Sequence, residues 1–196
     1  MSAITSLCVY CGSSSGRLPV YTEAALQLAA SLVSRNIRLV YGGASIGLMG
    51  SVADEVLRLG GTVVGVIPKA LAHKEVIHAN LTELHITQSM HERKLKMAQL
   101  ADAFIALPGG IGTLEELFEI WTWAQLGMHS KPCGLLNVAG YYDGLNTFLE
   151  HVMAEQFVKA QHHALLMVEE HADVLLERFM RYQPPAVRRW VDEAEI

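Results

Sequence analysis

Two glycine-rich turns are the first features of this sequence that could perform chemistry. Each turn follows an apolar run and precedes a helical pattern, so backbone N–H groups and the positive end of a helix dipole converge there, as in sites that bind phosphate. The glycines let the backbone approach a phosphate closely, and the Thr113 hydroxyl can add a donor or cap the helix. Tight turns alone would explain the first loop, but two such loops at one sheet edge favour an anion site. The turns are residues 42–47 and 108–113, with Gly42, Gly43, Gly47, Gly109, Gly110 and Gly112.

Four charged residues accompany the second turn and the helix upstream of it. Glu115 and Glu116 are predicted in the first turn of the following helix, where the dipole favours carboxylates, so stabilisation of the helix alone could explain Glu115. Arg93 and Lys94 open the upstream helix, where the dipole disfavours positive charge. An anionic partner would explain this pair of cations.

Several other sites are excluded by spacing. The segment from Gly47 to Gly50 lacks the lysine of a Walker A motif, and the loop from Gly12 to Gly16 lacks the glycine spacing of a dinucleotide fingerprint, so ATP hydrolysis and nicotinamide cofactors are disfavoured. Cys8 and Cys11 lie on one predicted strand and point to opposite faces, and Cys133 is the only other cysteine. The nine histidines show no H-E-x-x-H spacing. No metal site, disulfide or cofactor is predicted.

The order of elements predicts a doubly wound α/β fold with a mainly parallel sheet. Strands that alternate with helices favour right-handed crossovers onto both faces of the sheet, with a ligand site at the carboxyl ends of the strands. Residues 69–82 have no clear period and are predicted to be a loop that covers a site. The predicted strands are residues 6–11, 37–41, 62–67, 84–87, 103–107 and 133–138, and the predicted helices are residues 21–34, 48–59, 89–100, 113–126, 142–155 and 171–182.

Composition indicates one domain over residues 1–182, with a C-terminal tail at 183–196. Charged residues make up 18% of the chain, below the roughly 25% usual for globular domains, which suggests that some outer surface is buried in an oligomer. The net charge of -5 argues against non-specific nucleic-acid binding. The sequence has no apolar stretch that could span a bilayer and no basic n-region of a signal peptide, so the predicted location is the cytoplasm.

The long helix after the second glycine turn carries more apolar residues than one stripe can hold. Because a sheet covers only one side of a helix, the other side is predicted to meet a second subunit, in a homodimer or a larger symmetric oligomer. A helix enclosed within one larger domain is the alternative. The apolar residues are Leu114, Leu117, Phe118, Ile120, Trp121, Trp123, Ala124 and Leu126.

Residues 108–116, with the sequence PGGIGTLEE, match the PGGxGTxxE signature of the LONELY GUY family of cytokinin riboside 5′-monophosphate phosphoribohydrolases. Arg93-Lys94 at the family's spacing, residues 41–50 and residues 122–132 support this resemblance, which extends from about Leu7 to Phe157. The resemblance implies a Rossmann-like homodimer that releases a free base and ribose 5-phosphate from AMP or an N6-substituted adenosine monophosphate. Proteins that resemble this family are often labelled lysine decarboxylases, but the sequence shows nothing like a pyridoxal-phosphate site.

Carried over to this sequence, the resemblance makes Arg93 and Glu116 the catalytic pair. It also implies substrate contacts at Glu75, Lys94, Gly110 to Thr113 and Thr122. We add Gly42, Gly43, Gly109 and Glu115 as candidate substrate contacts from the loop pattern. Two alternatives remain open: a nucleotide- or cofactor-binding protein without hydrolase activity, and transfer of the phosphoribosyl group to an acceptor other than water.

Overall fold

The computed structural model describes residues 4–72 and 77–185, which form one α/β unit around a seven-stranded sheet. Every strand pair is parallel, and the strands lie in the order β4-β3-β2-β1-β5-β6-β7. The strands are β1 (Ser6–Tyr10), β2 (Arg38–Tyr41), β3 (Val63–Pro68), β4 (Glu83–Thr87), β5 (Ala103–Ala106), β6 (Cys133–Leu136) and β7 (Leu166–Glu169). The helices are α1 (Pro19–Ser34), α2 (Gly47–Arg58), α3 (Lys69–Ala72), α4 (Met90–Leu100), α5 (Ile111–Gln125), α6 (Asp143–Ala154), α7 (Ala160–His163) and α8 (Ala172–Met180).

Helices cover both faces of the sheet, as consecutive buried Val, Leu and Ile residues in its strands require. Helices α1, α2 and α8 pack on one face, and α4, α5 and α6 pack on the other. Cys8 and Cys11 lie in the cores of opposite faces, which confirms the prediction from their spacing, and all three cysteines are buried and free. The predicted doubly wound parallel sheet is confirmed.

The sheet has its topological switch point between β1 and β5. From β1 the chain adds β2, β3 and β4 on one side, and then returns to the centre to add β5, β6 and β7 on the other. The loops after β1 and β5 therefore turn toward opposite faces of the sheet and leave a crevice at its carboxyl edge, where doubly wound proteins bind ligands.

Four short segments differ from the sequence prediction. Helix α7 was not predicted because its four residues make barely one turn, and strand β7 was not predicted because no glycine or proline turn follows its short apolar run. The predicted loop at residues 69–82 begins with the short helix α3. The strand predicted at residues 133–138 ends at Leu136, and a 3₁₀ turn over Val138–Gly140 follows it.

Helix α5 is covered partly by the element that the prediction missed. Leu117, Ile120 and Ala124 are buried, and the indole N–H of Trp121 donates to the carbonyl of His162 in α7 at 2.9 Å. Trp121 is therefore covered within the protomer, and the predicted contact with a second subunit depends on the apolar residues of α5 that are less buried. Leu114, Phe118, Trp123 and Leu126 stay only half-buried within the protomer. Among the described residues, every helix is too short or too polar to cross a membrane.

Candidate functional site

Three loops interlock at the carboxyl edge of the sheet, after β1, β2 and β5. The backbone N–H of Gly12 donates to the carbonyl of Pro108 at 3.1 Å, and the N–H of Leu48 donates to the carbonyl of Gly12 at 3.0 Å. A Cβ on Gly109 would lie 2.8 Å from the nitrogen of Gly12, and Gly47 combines a φ of +59° with backbone of the β1 loop against it. Gly47 and Gly109 are therefore required because the loop backbones are in contact at these positions, where a side chain would not fit.

A crevice of about 260 Å³ opens between the loops after β1 and β5. Its walls are the serine-rich loop at residues 12–16, the turn at Gly109 and Gly110, and the rings of Tyr21 and Tyr141. The two rings meet edge to face at 5.6 Å, and the Tyr141 hydroxyl donates to the carbonyl of Gly109 at 2.6 Å. This contact fixes the glycine turn from outside the motif.

The N-terminus of α5 faces this crevice edge without a side-chain cap. Its N-cap residue is Gly110, and the first helical hydrogen bond runs from the N–H of Leu114 to the carbonyl of Gly110 at 3.2 Å. The N–H groups of residues 111–113 thus have no carbonyl partner within the helix. Space is open beside Gly110 and Gly112, and Ile111 is 87% exposed. This helix end can receive an anion.

The early start of α5 corrects one prediction. Because residues 111–113 of the glycine turn are already helical, Glu115 and Glu116 lie in the second turn, and the first turn contains no acidic residue. The helix dipole acts mainly within the first turn and explains neither carboxylate well. The roles of Glu115 and Glu116 therefore depend on the residues around them.

Arg93 is buried next to Glu116 and is poorly bonded. It is 7% exposed, and its Nη2 lies 3.8 Å from Oε1 of Glu116 and 3.5 Å from the carbonyl oxygen of Gly42. Among the described residues, its Nη1 contacts the sulfur of Met90 at 3.8 Å, and its buried Nε has no hydrogen-bond partner. A Cβ on Gly42 would overlap the Arg93 guanidinium, so this glycine makes room for it. A buried guanidinium with unused donors is costly unless a ligand completes it.

The surroundings of Glu116 hold it near half-ionisation at neutral pH. Burial raises the pKa of its carboxyl from the usual 4.5 to about 7. The positive charges of Arg93 and Lys94 lower this pKa, and the carboxylates of Glu115 and Glu119 raise it. A carboxyl with such a pKa can exchange a proton with a substrate near pH 7.

Lys94 is bonded to carboxylates of α5 rather than left free. Its Nζ lies 2.6 Å from Glu115 and 2.9 Å from Glu119. Burial by itself would lower the pKa of the Lys94 ammonium, but the two hydrogen bonds outweigh it and raise the pKa above its usual value. The anionic partners expected for Arg93 and Lys94 are therefore at least partly supplied by the chain itself.

The structure brings most of the predicted site residues together. Gly42, Arg93, Lys94, Glu115 and Glu116 form one cluster, and Gly109 to Thr113 lie at the start of the same helix as the two glutamates. Gly43 adopts a φ of +80° beside this cluster. Thr122 is exposed and donates to the carbonyl of Phe118 at 2.7 Å. Glu75 lies outside the described residues.

Thr122 is separated from this cluster within one protomer. It follows Glu116 by six residues, which is about 9 Å along a helix. Sequence reasoning also missed Tyr21 and Tyr141 as walls of the crevice, because single tyrosines give no signal until the fold places them beside the glycine turn.

Comparisons with known proteins identify the relatives of this chain. A family model described as "Possible lysine decarboxylase" matches residues 49–179. The cytokinin riboside 5′-monophosphate phosphoribohydrolase LOG7 of Arabidopsis thaliana is 50% identical over 183 residues, which cover 93% of this chain and 84% of that protein. A probable enzyme of the same name from Oryza sativa subsp. japonica, LOGL1, is 52% identical over 176 residues, which cover 90% of this chain and 79% of that protein.

The chain belongs to the LONELY GUY family. Its resemblance to that family is thereby confirmed, and the match extends beyond the signature at residues 108–116 to most of the chain. Solved structures similar to this family member include the molybdenum cofactor carrier protein of Chlamydomonas reinhardtii, with a TM-score of 0.65 and 17% identity over 90% of this chain and 98% of that one. A molybdenum cofactor binding protein of Rippkaea orientalis has a TM-score of 0.66 and is 18% identical, and the match covers 90% of this chain and 96% of that one. These two structures show the Rossmann-like fold.

Proposed function

We propose that this LONELY GUY family member hydrolyses the N-glycosidic bond of purine nucleoside 5′-monophosphates, both AMP and N6-substituted adenosine monophosphates. The observation that carries the proposal is the buried, under-bonded Arg93 facing Glu116, whose pKa is about 7. A protein that only bound nucleotide would not need both groups. The names of the relatives, which are about half identical to this chain, support the same reaction.

The reaction requires a group that stabilises a cation and a group that helps the base depart. Breaking the bond between ribose and purine passes through an oxocarbenium-like sugar, as in glycoside hydrolysis. The Glu116 carboxylate would face the anomeric carbon, stabilise this cation and orient the water that bonds to it. The electrons of the broken bond leave with the purine, which takes up a proton, while the attacking water loses one to Glu116. Arg93 would position the phosphorylated substrate or donate a hydrogen bond toward the departing base.

The remaining site residues would hold the nucleotide. The 5′-phosphate would accept hydrogen bonds from the amides of Gly110 to Thr113, where the helix dipole favours negative charge. Gly42, Gly43 and Gly109 would let the ligand approach the backbone, and Lys94 and Glu115 would border it. Glu75 remains a predicted substrate contact. The binding energy of the phosphate would hold the sugar for attack.

The ionisation of Glu116 predicts the pH dependence of the reaction. Since the carboxylate is the active form and its pKa is about 7, kcat/KM for AMP should fall below about pH 7, by roughly tenfold per pH unit. Glu119→Gln removes a negative charge that raises this pKa, so its acid limb should move to lower pH. An acid limb near pH 4.5, the usual value for a glutamate, would contradict this assignment.

We also propose a homodimer or a larger symmetric homo-oligomer, located in the cytoplasm, with α5 in the interface. The half-buried Leu114, Phe118 and Trp123 provide apolar contact area, and the exposed Thr122 on the same helix could reach the substrate of a second subunit. Light scattering coupled to size exclusion should give at least twice the mass of the chain. A monomer at micromolar concentration would contradict the interface and the Thr122 contact together.

Two rival functions are separated by product analysis. The protein would be incubated with N6-isopentenyladenosine 5′-monophosphate, and free base and ribose 5-phosphate quantified by chromatography. Equal amounts of both products support hydrolysis, whereas free base without ribose 5-phosphate indicates transfer to another acceptor. Nucleotide binding without either product would favour a binding protein of the same fold. The lysine decarboxylase description finds no support in Lys94, whose ammonium is bonded to two carboxylates.

A further inference from the structure

His78 is a buried histidine that belongs to none of the predicted site residues. It is 6% exposed and lies just after the antiparallel bridge between Ala44 and Ile77, which joins its segment to the loop after β2. Its backbone N–H donates to the carbonyl of Gly43 at 3.0 Å. The segment of His78 is therefore attached directly to the loop that carries Gly42.

The imidazole of His78 uses both of its nitrogens. The N–H of Asn80 donates to Nδ1 at 3.2 Å, so Nδ1 carries no proton and Nε2 does. The Nε2–H then donates to Oδ1 of Asp54 in α2 at 2.9 Å. His78 thus connects three segments: its ring bonds Asp54 of α2 and the N–H of Asn80, and its backbone N–H bonds the loop after β2.

The loop held by His78 is also the loop on which Arg93 rests. The carbonyl of Gly42 contacts Nη2 of Arg93 at 3.5 Å, and the missing Cβ of Gly42 leaves the space that the guanidinium fills. A shift of this loop changes the position of Arg93 relative to Glu116, which lies only 3.8 Å away. Arg93 has few other strong bonds to keep it in place.

We propose that His78, anchored by Asp54, is a positioning residue that sets the distance between Arg93 and Glu116 through the Gly42–Gly43 loop. Its hydrogen bonds within the described part of the chain are to Asp54, Asn80 and Gly43, so it acts on the pair through the backbone. The proposal rests on the proposed function for its kinetic readout alone, because the geometry of the pair can also be measured without substrate.

The test compares variants that break or keep the anchor. His78→Leu removes both ring contacts, Asp54→Ala removes the acceptor, and Asp54→Asn keeps an oxygen acceptor at the same place. His151→Leu changes an exposed histidine on α6 and serves as the matched control. Gly42→Ala displaces the Arg93 guanidinium directly and serves as the positive control.

Two readouts are needed, the kinetics with AMP and the titration of Glu116 followed by 13C NMR of labelled protein without substrate. We expect His78→Leu to lower kcat about tenfold, since small misplacements of reacting groups have effects of this size or larger, and to change KM less than kcat. The Glu116 titration midpoint should rise, because Arg93 lowers that pKa. Asp54→Ala should show the same changes more weakly, and Asp54→Asn and His151→Leu should behave like the wild type.

Other ionisable groups also surround Glu116, and they must stay constant for this comparison. They are Lys94 on α4, Glu115 and Glu119 on α5, and Cys8, Tyr10 and Cys11 at β1. The variants change none of them.

A folded His78→Leu variant with wild-type kcat and an unchanged Glu116 midpoint would overturn the proposal. If His78→Leu does not fold, Asp54→Ala and Asp54→Asn are compared instead. Equal kcat values and equal Glu116 titration midpoints in these two variants would overturn the proposal. If the wild-type protein releases no base, the proposed function fails, and the titration midpoints alone decide the role of His78.

Discussion

Replacement of Glu116 by Gln is expected to lower kcat for AMP cleavage by about three orders of magnitude, the size of effect seen when one group that stabilises transition-state charge is removed. The amide keeps the shape of the side chain but cannot carry the negative charge that the oxocarbenium-like sugar requires. Because Glu116 is buried and its pKa is raised by that burial, the neutral amide should be accepted without loss of folding. AMP affinity, measured by calorimetry, should change by no more than a few fold.

The matched control for this variant is Glu119→Gln. Glu119 lies one turn further along α5 and bonds Lys94 at 2.9 Å, but it is not paired with Arg93. This variant should keep kcat near the wild-type value at pH 8, where Glu116 is ionised in both proteins. A Glu116→Gln protein that binds AMP and turns it over at a near-normal rate would remove Glu116 from the catalytic role.

Adenosine is expected to react with a kcat/KM about a thousandfold lower than that of AMP, because it lacks the group that anchors the sugar. The open N-terminus of α5 would hold the phosphate through the amides of residues 110–113, and these amides have nothing to bind in the nucleoside. Rates of free adenine release from both compounds under kcat/KM conditions give the ratio directly. Equal efficiency with adenosine would contradict the phosphate-anchoring role of this helix end.

A proline variant tests the same anchor from the side of the protein. Ile111 is the first helical residue and is 87% exposed, and Gly110 before it is extended, so Ile111→Pro removes one amide donor where proline is well tolerated. We expect kcat/KM for AMP to fall about tenfold, as for loss of one hydrogen bond to a charged group, and that for adenosine to change little. Ile111→Ala keeps the amide and is the control. If the proline variant lowers kcat/KM for AMP and for adenosine equally, the effect is a general structural one and does not support the phosphate anchor.

The predictable part of the fold is the part with a strong local pattern. Strands β1, β3 and β5 are fully buried in parallel pairing, and their unbroken apolar runs could be read directly from the sequence. The glycine turns could be located because Gly47 and Gly109 must lack side chains for the loops to touch. Helix α7 was missed because it is barely one turn long, and strand β7 because its short apolar run has no glycine or proline turn after it.

The sequence can name candidate site residues, but it does not give the environment of their side chains. A signature can point to Arg93 and Glu116, but the burial that leaves Arg93 Nε without a partner and raises the pKa of Glu116 depends on packing across α4, α5 and the loop after β2. His78 lies 15 residues before Arg93 in the printed sequence, and only the tertiary fold connects the two through Gly43 and Gly42. Glu115 and Glu116 were placed one turn too early because a glycine turn and a helix start look alike in sequence.

The most direct measurement quantifies free adenine and ribose 5-phosphate released from AMP by the wild-type protein and by Glu116→Gln, with AMP binding measured on the same samples. We predict equal amounts of both products from the wild-type protein and almost none from the variant, although both proteins bind AMP. Binding of AMP by the wild-type protein without release of either product would contradict hydrolysis and would support a nucleotide-binding protein of the same fold.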